Sequence, residues 1–206
     1  MKTLNSTELW SSEIEYSHSK ILYDPRNNSA WNQRWFALHE GKISSVYAED
    51  RGSVLCLEKA KEEASYALCG ADVDPFNESP WRYLVGILME QWRLAKRGGD
   101  ADDIAKVTGL IQENIGKIRE MKQAWEEHPP SNDHPSGSSA SLLSALVDLL
   151  EIFTDAKELL TEAKALLGVL MSEDPIRRKY WLKREKEISK RLVSIEKKED
   201  NAESSA

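Results

Sequence analysis

The sequence predicts an all-α fold, an alpha-alpha superhelix (solenoid) built from antiparallel helix pairs, and three observations carry this prediction. A short turn-like sequence motif, which we call the repeated word, begins at Asp24-Pro25 and ends at Trp31. It recurs at residues 74–81, at an offset of 50, and in a looser form at residues 174–181. Apolar residues recur at helical spacing around each copy, and no stretch shows the alternation of a strand. Internal repetition at a period of this size is typical of stacked helical repeats.

Each copy of the repeated word predicts a turn between two helices. The residue before a proline is pushed out of the helical region, so Asp24-Pro25 should end the preceding helix. Asn28 or Ser29 can cap the next helix by accepting from a free backbone N–H. A tryptophan then fills the seam between stacked pairs, because it buries a large area. The predicted repeat-core tryptophans are Trp31, Trp35, Trp81, Trp92 and Trp181.

Eight helices are predicted from apolar stripes and from the residues that start and stop helices. The predicted helices lie at about 9–22, 29–40, 53–70 with a stop at Gly70, 79–96 with a stop at Gly98-Gly99, from Asp100 to about Trp125, two from Ser141 to about Leu170, and 175–196.

Composition also predicts how the chain is divided into repeats, a linker, C-terminal helices and a tail. Residues 127–140 carry prolines and serines without apolar anchors, so we expect a disordered linker. The repeats then occupy 9–126, and the C-terminal helices of 141–196 complete the solenoid. Residues 197–206 are charged and small, which predicts a disordered tail.

The net charge and the two cysteines limit which classes of function fit this sequence. A net charge of −7 does not suggest a nucleic-acid binder, because phosphate neutralisation needs clustered Lys and Arg, and we interpret the basic run around Arg177 as a solvated helix face. Cys56 and Cys69 lie thirteen residues apart on one predicted helix, about 20 Å, which is too far for a disulfide. Free thiols, no apolar leader and no membrane span together predict a cytoplasmic protein.

No common catalytic or metal-binding word occurs in the sequence: there is no Cys-x-x-Cys, His-Glu-x-x-His, phosphate-binding glycine loop or Gly-x-Ser-x-Gly. His128 and His134 lie in the predicted linker, but nothing near them has the spacing of metal ligands. We therefore expect no catalytic residue and no metal site in this chain.

The word Asp-Pro-x-Asn-x-Ser-x-Trp, with Asn32 and Arg34 after the first tryptophan, resembles the repeat of protein prenyltransferase α subunits. The order and spacing of its three copies resemble the C-terminal portion of the subunit that farnesyltransferase and type I geranylgeranyltransferase share. The resemblance covers roughly residues 9–190 and adds a tetratricopeptide-like arrangement to the expected fold.

The resemblance implies a role as one subunit of a heterodimeric enzyme. The β subunit would transfer farnesyl or geranylgeranyl from its diphosphate to the cysteine of C-terminal CaaX motifs, and this chain would support it. Zinc and magnesium are implied for the holoenzyme through the β subunit, and none for this chain. The residues that the motif suggests for contact with the β subunit or with a neighbouring repeat are Asn27, Asn28, Asn32, Arg34, Asn77 and Arg82.

One departure from the family pattern bears on activity. The earlier family repeats carry Lys-Asn-Tyr before the tryptophan and place a lysine near the diphosphate. Here these positions are Arg26-Asn27-Asn28, Phe76-Asn77-Glu78 and Ile176-Arg177-Arg178. We therefore expect a C-terminal half of such a subunit, as a fragment or a short form, without activity of its own.

Two other functions stay open from the sequence. A tetratricopeptide-like scaffold that binds a peptide is disfavoured, because such repeats have a shorter period and small residues where this chain has tryptophan. The α subunit of the Rab-type geranylgeranyltransferase is close in fold. Asn32-Gln33-Arg34 after Trp31 favours the CaaX type over it.

Overall fold

The computed structural model describes residues 6–40, 55–128 and 139–203, and α-helices joined by short connections dominate these ranges. The prediction of an all-α helical repeat is confirmed. The eight helices of the described residues are α1 (Ser6–Tyr23), α2 (Asn28–Glu40), α3 (Leu57–Val73), α4 (Glu78–Gly98), α5 (Ala101–Glu127), α6 (Ala140–Leu150), α7 (Lys157–Glu173) and α8 (Arg178–Glu203), with a 3₁₀ turn (Pro175–Arg177) before α8.

The chain forms two compact units, Met1–Asn114 and Ile115–Ala206. Their boundary falls inside α5, whereas composition had suggested a division after residue 126. The difference has a physical reason: a composition change marks where apolar residues become sparse, while a compact unit is set by which helices pack together.

In the first unit, α1 packs on α2 and α3 packs on α4, and α2 also packs on α4. Four-residue turns at 24–27 and 74–77 join the members of each pair, so the partners run antiparallel. Trp31 and Trp81 are each 1% exposed and occupy the centre of this packing. The second helix of each pair therefore carries the tryptophan that the repeated word places at its start.

In the second unit, α6 packs on α7 and α7 packs on α8. The α6 helix is nearly all apolar, and eight of its eleven residues are buried. Trp181 of α8 is fully buried. This unit thus centres on α6 and α7, and α8 covers α7 with a stripe that includes Trp181 and Ile188.

Several predicted boundaries are wrong, each by a local effect. The predicted cap of α2, Asn28 or Ser29, is wrong, because the Asn27 side chain accepts from the Ala30 N–H at 3.2 Å; the equivalent Asn77 caps α4 by accepting from the Ser79 N–H at 3.1 Å. Ser139 caps α6, two residues before the expected Ser141. Residues 197–203, expected within a disordered tail, continue α8. The mixed charges there suit an exposed helix as well as a coil, so composition alone could not separate the two.

Gly70 does not stop α3, which continues to Val73. A Cβ atom built on Gly70 would lie 2.8 Å from Cη2 of Trp31, inside any normal contact distance. The glycine is needed because the indole of the preceding pair lies against the α3 backbone, and not because the helix ends there.

Replacing Gly70 by alanine is therefore expected to destabilise the protein, although alanine is the better helix former by about 1 kcal/mol. The added methyl group must displace a fully buried indole, and overpacking of this kind costs about 1–3 kcal/mol. Urea unfolding measures the change. Gly168→Ala is the control, because a Cβ there meets no atom within 4 Å; equal effects at both positions would contradict the close approach.

The core of the predicted linker, residues 129–138, lies outside the described residues, and its disorder stays a prediction. The two ends of the predicted linker are helical: Glu127 is the last residue of α5, and Ala140 is the first residue of α6. In the described ranges, no helix combines the length and the apolar character needed to cross a bilayer.

Candidate functional site: the turns and seams between repeats

The first two copies of the repeated word form the same turn. The Asp24 side chain accepts from the Arg26 N–H at 3.0 Å, and the Asp74 side chain accepts from the Phe76 N–H at 3.3 Å. The aspartate carbonyl in each copy accepts from the asparagine N–H three residues on, at 3.0 Å. Asp-Pro-x-Asn is thus a turn sequence in which the aspartate supplies both acceptors.

The tryptophan indole closes each turn from the inside. Trp31 Nε1 donates to the Pro25 carbonyl at 2.9 Å, and Trp81 Nε1 donates to the Pro75 carbonyl at 3.4 Å. In the third copy Trp181 Nε1 donates instead to the Asp174 carboxylate at 3.0 Å. The repeated tryptophan therefore donates a hydrogen bond to an acceptor of the turn as well as filling the core.

The two turns of the first unit are bonded to each other. Arg26 forms a bidentate ion pair with the Asp74 carboxylate: Nε donates to Oδ2 at 2.5 Å, and Nη2 donates to Oδ1 at 3.2 Å. Asn77 Nδ2 donates to the Pro25 carbonyl at 2.6 Å, and Ser79 Oγ donates to the Asn28 side chain at 3.4 Å. The hydrogen bond and charge of Arg26 hold the pKa of Asp74 below its usual range. Successive repeats are therefore fixed in register by the motif residues themselves.

A buried ion pair lies in the seam between α2 and α3. Arg34 donates to both carboxylate oxygens of Glu63, at 2.8 and 2.7 Å, and Tyr83 Oη donates to the same carboxylate at 2.8 Å. The Arg34 guanidinium also lies 4.0 Å from the centroid of the Tyr66 ring. Burial by itself raises the pKa of Glu63, but the bonds from Arg34 and Tyr83 outweigh burial and lower it. Both charged groups thus stay ionised inside the unit.

A second charged contact joins α2 to α4. His39 Nε2 lies 2.7 Å from a Glu90 carboxylate oxygen, and His39 Nδ1 lies 2.6 Å from the Trp35 carbonyl oxygen. Both neighbours are acceptors, so both ring nitrogens donate and the imidazole is positively charged. Burial lowers the pKa of His39, yet the bonds to Glu90 and Trp35 more than offset it and raise the pKa above its ordinary value.

This geometry predicts a pH dependence of stability. The unfolded-state pKa of histidine is about 6.5, and the folded-state pKa of His39 is higher. Its stabilising contribution is fully present below about pH 6.5 and is lost as the pH rises through the folded-state value. Urea unfolding from pH 6 to pH 9 should show this loss, and His39→Gln should abolish that part of it. An unchanged pH profile in His39→Gln would contradict the charged pair.

The structure divides the motif-matched contact residues into two groups. Four of them make contacts within and between the repeats, namely Asn27, Asn28, Arg34 and Asn77. Asn32 and Arg82 are exposed, and Arg82 pairs with Glu78 on its own helix at 2.9 Å. A contact between these residues and a β subunit stays a prediction. Among the repeat-core tryptophans, Trp31, Trp81 and Trp181 are fully buried, while Trp35 and Trp92 are half-buried.

Sequence reasoning missed several residues of these seams. Arg26 and Asp74 both stand within the repeated word, and their opposite charges are the one sequence feature that could have suggested their pairing. Glu63 and Glu90 lie outside the repeated word, and only docking of the helix pairs brings them to Arg34 and His39. No sequence signal marks these two carboxylates.

One acidic cluster could attract a cation, and it has a simpler role. Oxygens of Asp100, Asp102 and Asp103 lie within 4.8 Å of one another, and all three residues are exposed. The Asp100 carboxylate accepts from the N–H groups of Asp102 and Asp103 at 2.9 and 3.0 Å. It is thus the N-terminal cap of α5.

Comparison with known proteins agrees with this geometry. The family described as "Protein prenyltransferase alpha subunit repeat" matches residues 10–40, which span most of α1, the first turn and α2. A protein farnesyltransferase/geranylgeranyltransferase type-1 subunit alpha from Arabidopsis thaliana is 35% identical over 75 residues, 36% of this chain and 20% of that protein.

Two proteins of the same name extend the match. The one from Pisum sativum is 24% identical over 183 residues, 87% of this chain and 49% of that protein. The one from Dictyostelium discoideum is 33% identical over 82 residues, 40% of this chain and 23% of that protein. The chain thus spans about half the length, or less, of the curated relatives that it matches. Residues 10–40 therefore match one repeat of this family, and the chain is similar to alpha subunits of this name over up to 87% of its length.

Proposed function

We propose that this chain is the C-terminal part of the α subunit of a heterodimeric protein prenyltransferase of the CaaX type. Its role is to hold a catalytic β subunit, which transfers farnesyl or geranylgeranyl from the diphosphate to a substrate cysteine. The observation that carries the proposal is the pair of turns bonded through Arg26–Asp74, in a family whose named members are such α subunits.

The charged contacts between helices of the first unit favour a structural role for this chain over a catalytic role. The most buried charged contacts of the first unit, Arg34–Glu63 and His39–Glu90, join one helix to another and leave their charges satisfied. Groups held in this way stiffen a surface but are poorly placed to transfer protons to a substrate. The zinc and magnesium of the holoenzyme belong in this proposal to the β subunit, and the complex to the cytoplasm.

Asn32 and Arg82 are the motif residues best placed to meet a β subunit, because both are exposed at positions just after the repeated tryptophans. Arg82 pairs with Glu78 on the surface of its own helix, and an exposed ion pair of this kind can be exchanged for a contact with a β subunit at little cost. The four remaining motif residues act indirectly in this proposal, by fixing the register of the repeats that present Asn32 and Arg82.

Co-expression with a CaaX-type β subunit tests the proposal. We expect a complex in size-exclusion chromatography and prenyl transfer to a dansylated CaaX peptide that depends on β. The chain alone is expected to show no turnover and no stoichiometric zinc, because its described carboxylates and histidines are bound to neighbours or exposed. Turnover by the isolated chain would overturn the subunit role.

Single variants sharpen the same experiment. Arg82→Glu is expected to weaken co-purification with β, whereas Lys61→Glu, an exposed lysine on α3, should leave it intact. A complex equally stable in both variants would remove Arg82 from the interface. Failure to associate with β subunits of the CaaX type, with association to a Rab-type β subunit instead, would move the chain to the Rab-type enzyme.

A further inference from the structure

The outward face of α8 carries a row of lysines that the packing of the second unit does not use. Helical spacing at 3.6 residues per turn places five lysines within about 60° of arc, over a length of about 27 Å. We call them the lysine row: Lys179, Lys183, Lys186, Lys190 and Lys197, all exposed.

The acidic residues of α8 are segregated from this row. Glu196 and Glu199 face Lys157 of α7, at 3.8 and 2.8 Å, and Glu185 faces Lys164 of α7 at 3.5 Å. The side of α8 that packs on α7 is therefore neutralised, while the opposite side keeps its positive charge. Within the described ranges, no side chain of the lysine row forms an ion pair or a hydrogen bond; the one hydrogen bond at the row is accepted by the Lys190 backbone carbonyl, from Ser194 Oγ. Glu187 and Asp200 lie only at its edges.

Two aliphatic side chains accompany the row. Leu182 is 41% exposed and Val193 is 48% exposed, and helical spacing places both along one edge of the lysine row. The buried stripe of α8, which includes Trp181 and Ile188, lies on the opposite side. The exposed face of α8 thus carries a row of positive charges and, along one edge of that row, two exposed apolar side chains.

We propose that the lysine row binds the surface of a lipid bilayer that contains anionic lipids, with α8 lying parallel to that surface. Charges confined to a narrow arc of a straight helix can all meet a plane at once. Lysine is a point charge on a flexible stem and suits a diffuse layer of headgroups, whereas paired recognition of single phosphates favours arginine. Leu182 and Val193 add apolar contact at the headgroup boundary.

Other polyanions fit the face less well. Single-stranded nucleic acid is bound with aromatic side chains on which bases stack, and the arc of the lysine row contains none. An acidic protein would have to present a matching straight line of carboxylates. The net charge of −7 on the whole chain does not oppose membrane binding at about 0.1 M salt, because charges more than about 10 Å from the surface are screened.

Vesicle flotation of the full chain tests this proposal, using phosphatidylcholine vesicles with and without phosphatidylserine at about 0.1 M salt. We expect binding only to the vesicles with phosphatidylserine, and its loss at about 1 M salt. Each lysine near an anionic surface contributes roughly a fivefold factor, so Lys183→Gln/Lys186→Gln/Lys190→Gln should lower the partition coefficient on the order of a hundredfold.

The matched control changes the same amount of charge elsewhere. Lys20→Gln/Lys61→Gln/Lys96→Gln replaces three exposed lysines on other helices and is expected to bind like the parent chain. Replacement of Lys183, Lys186 and Lys190 by arginine should leave vesicle binding intact, because anionic headgroups attract the positive charge of either side chain. Circular dichroism checks that all variants stay folded.

Three outcomes would overturn the proposal. They are equal binding by the row variant and the control variant, no binding of the parent chain to anionic vesicles, and binding to poly-glutamate without binding to vesicles. The last outcome would assign the lysine row to an acidic protein partner. None of them depends on a β subunit, so this test stands apart from that of the proposed function.

Discussion

Replacing Trp31 by alanine is expected to lower the free energy of unfolding by about 3–5 kcal/mol, as truncation of a large buried aromatic does. The indole is 1% exposed, and its ring centroid lies 5.5 Å from that of Tyr66 and 5.4 Å from that of Tyr83. It also donates to the Pro25 carbonyl, which would lose this bond. Surrounding helices cannot close such a cavity without moving whole pairs, so little relaxation should offset the loss.

Trp81→Ala should have an effect of the same size, because Trp81 occupies the equivalent place in the second repeat and is equally buried. Urea unfolding followed by circular dichroism measures both. Tyr23→Ala is the control, since Tyr23 is 90% exposed and its loss is expected to change stability by less than about 0.5 kcal/mol. Changes under about 1 kcal/mol for the tryptophan variants would mean that the repeats do not pack through these residues.

Removal of one partner of the Arg34–Glu63 pair is the second large effect. Glu63→Leu is expected to cost about 3–5 kcal/mol, because it leaves the Arg34 charge buried without a counterion. The side chain of Glu63 is only 1% exposed and that of Arg34 only 8%, so water does not replace the lost contact. Tyr83 would lose its acceptor in the same variant.

A double-mutant cycle separates the pair from its surroundings. Arg34→Met with Glu63→Leu should cost clearly less than the sum of the single changes, since the uncompensated charge is then gone. Glu126→Ala is the control: it breaks the exposed Lys122–Glu126 pair, for which we expect at most about 0.5 kcal/mol. Strict additivity at Arg34 and Glu63 would show that the two charges do not interact in solution.

These two predictions concern different kinds of seam. Trp31 closes its own turn and packs its indole against the next helix pair, while Arg34–Glu63 is a buried ion pair that joins the second helix of one pair to the first helix of the next. Loss of either is expected to loosen the surface that carries Asn32 and Arg82. A β subunit should therefore bind the Trp31 and Glu63 variants less tightly, although neither residue is exposed.

The sequence by itself determined the helical repeat and the places of its turns. The repeated Asp-Pro and the tryptophan seven residues later act through local forces, namely the restriction before a proline and the burial of a large ring. Such forces need no knowledge of distant residues. For this reason the turns at 24–27 and 74–77 and the burial of Trp31 and Trp81 could be predicted from composition and spacing alone.

Tertiary structure alone decided the partners of the polar residues. Arg34 and Glu63 are 29 residues apart, His39 and Glu90 are 51 apart, and the docking of helix pairs determines which charges meet. The same docking explains Gly70, where an indole approaches the backbone of a continuing helix. It also leaves the lysine row of α8 uncovered. Helical periodicity indicates which face of a helix is apolar, but contacts between helices depend on distances that no local pattern contains.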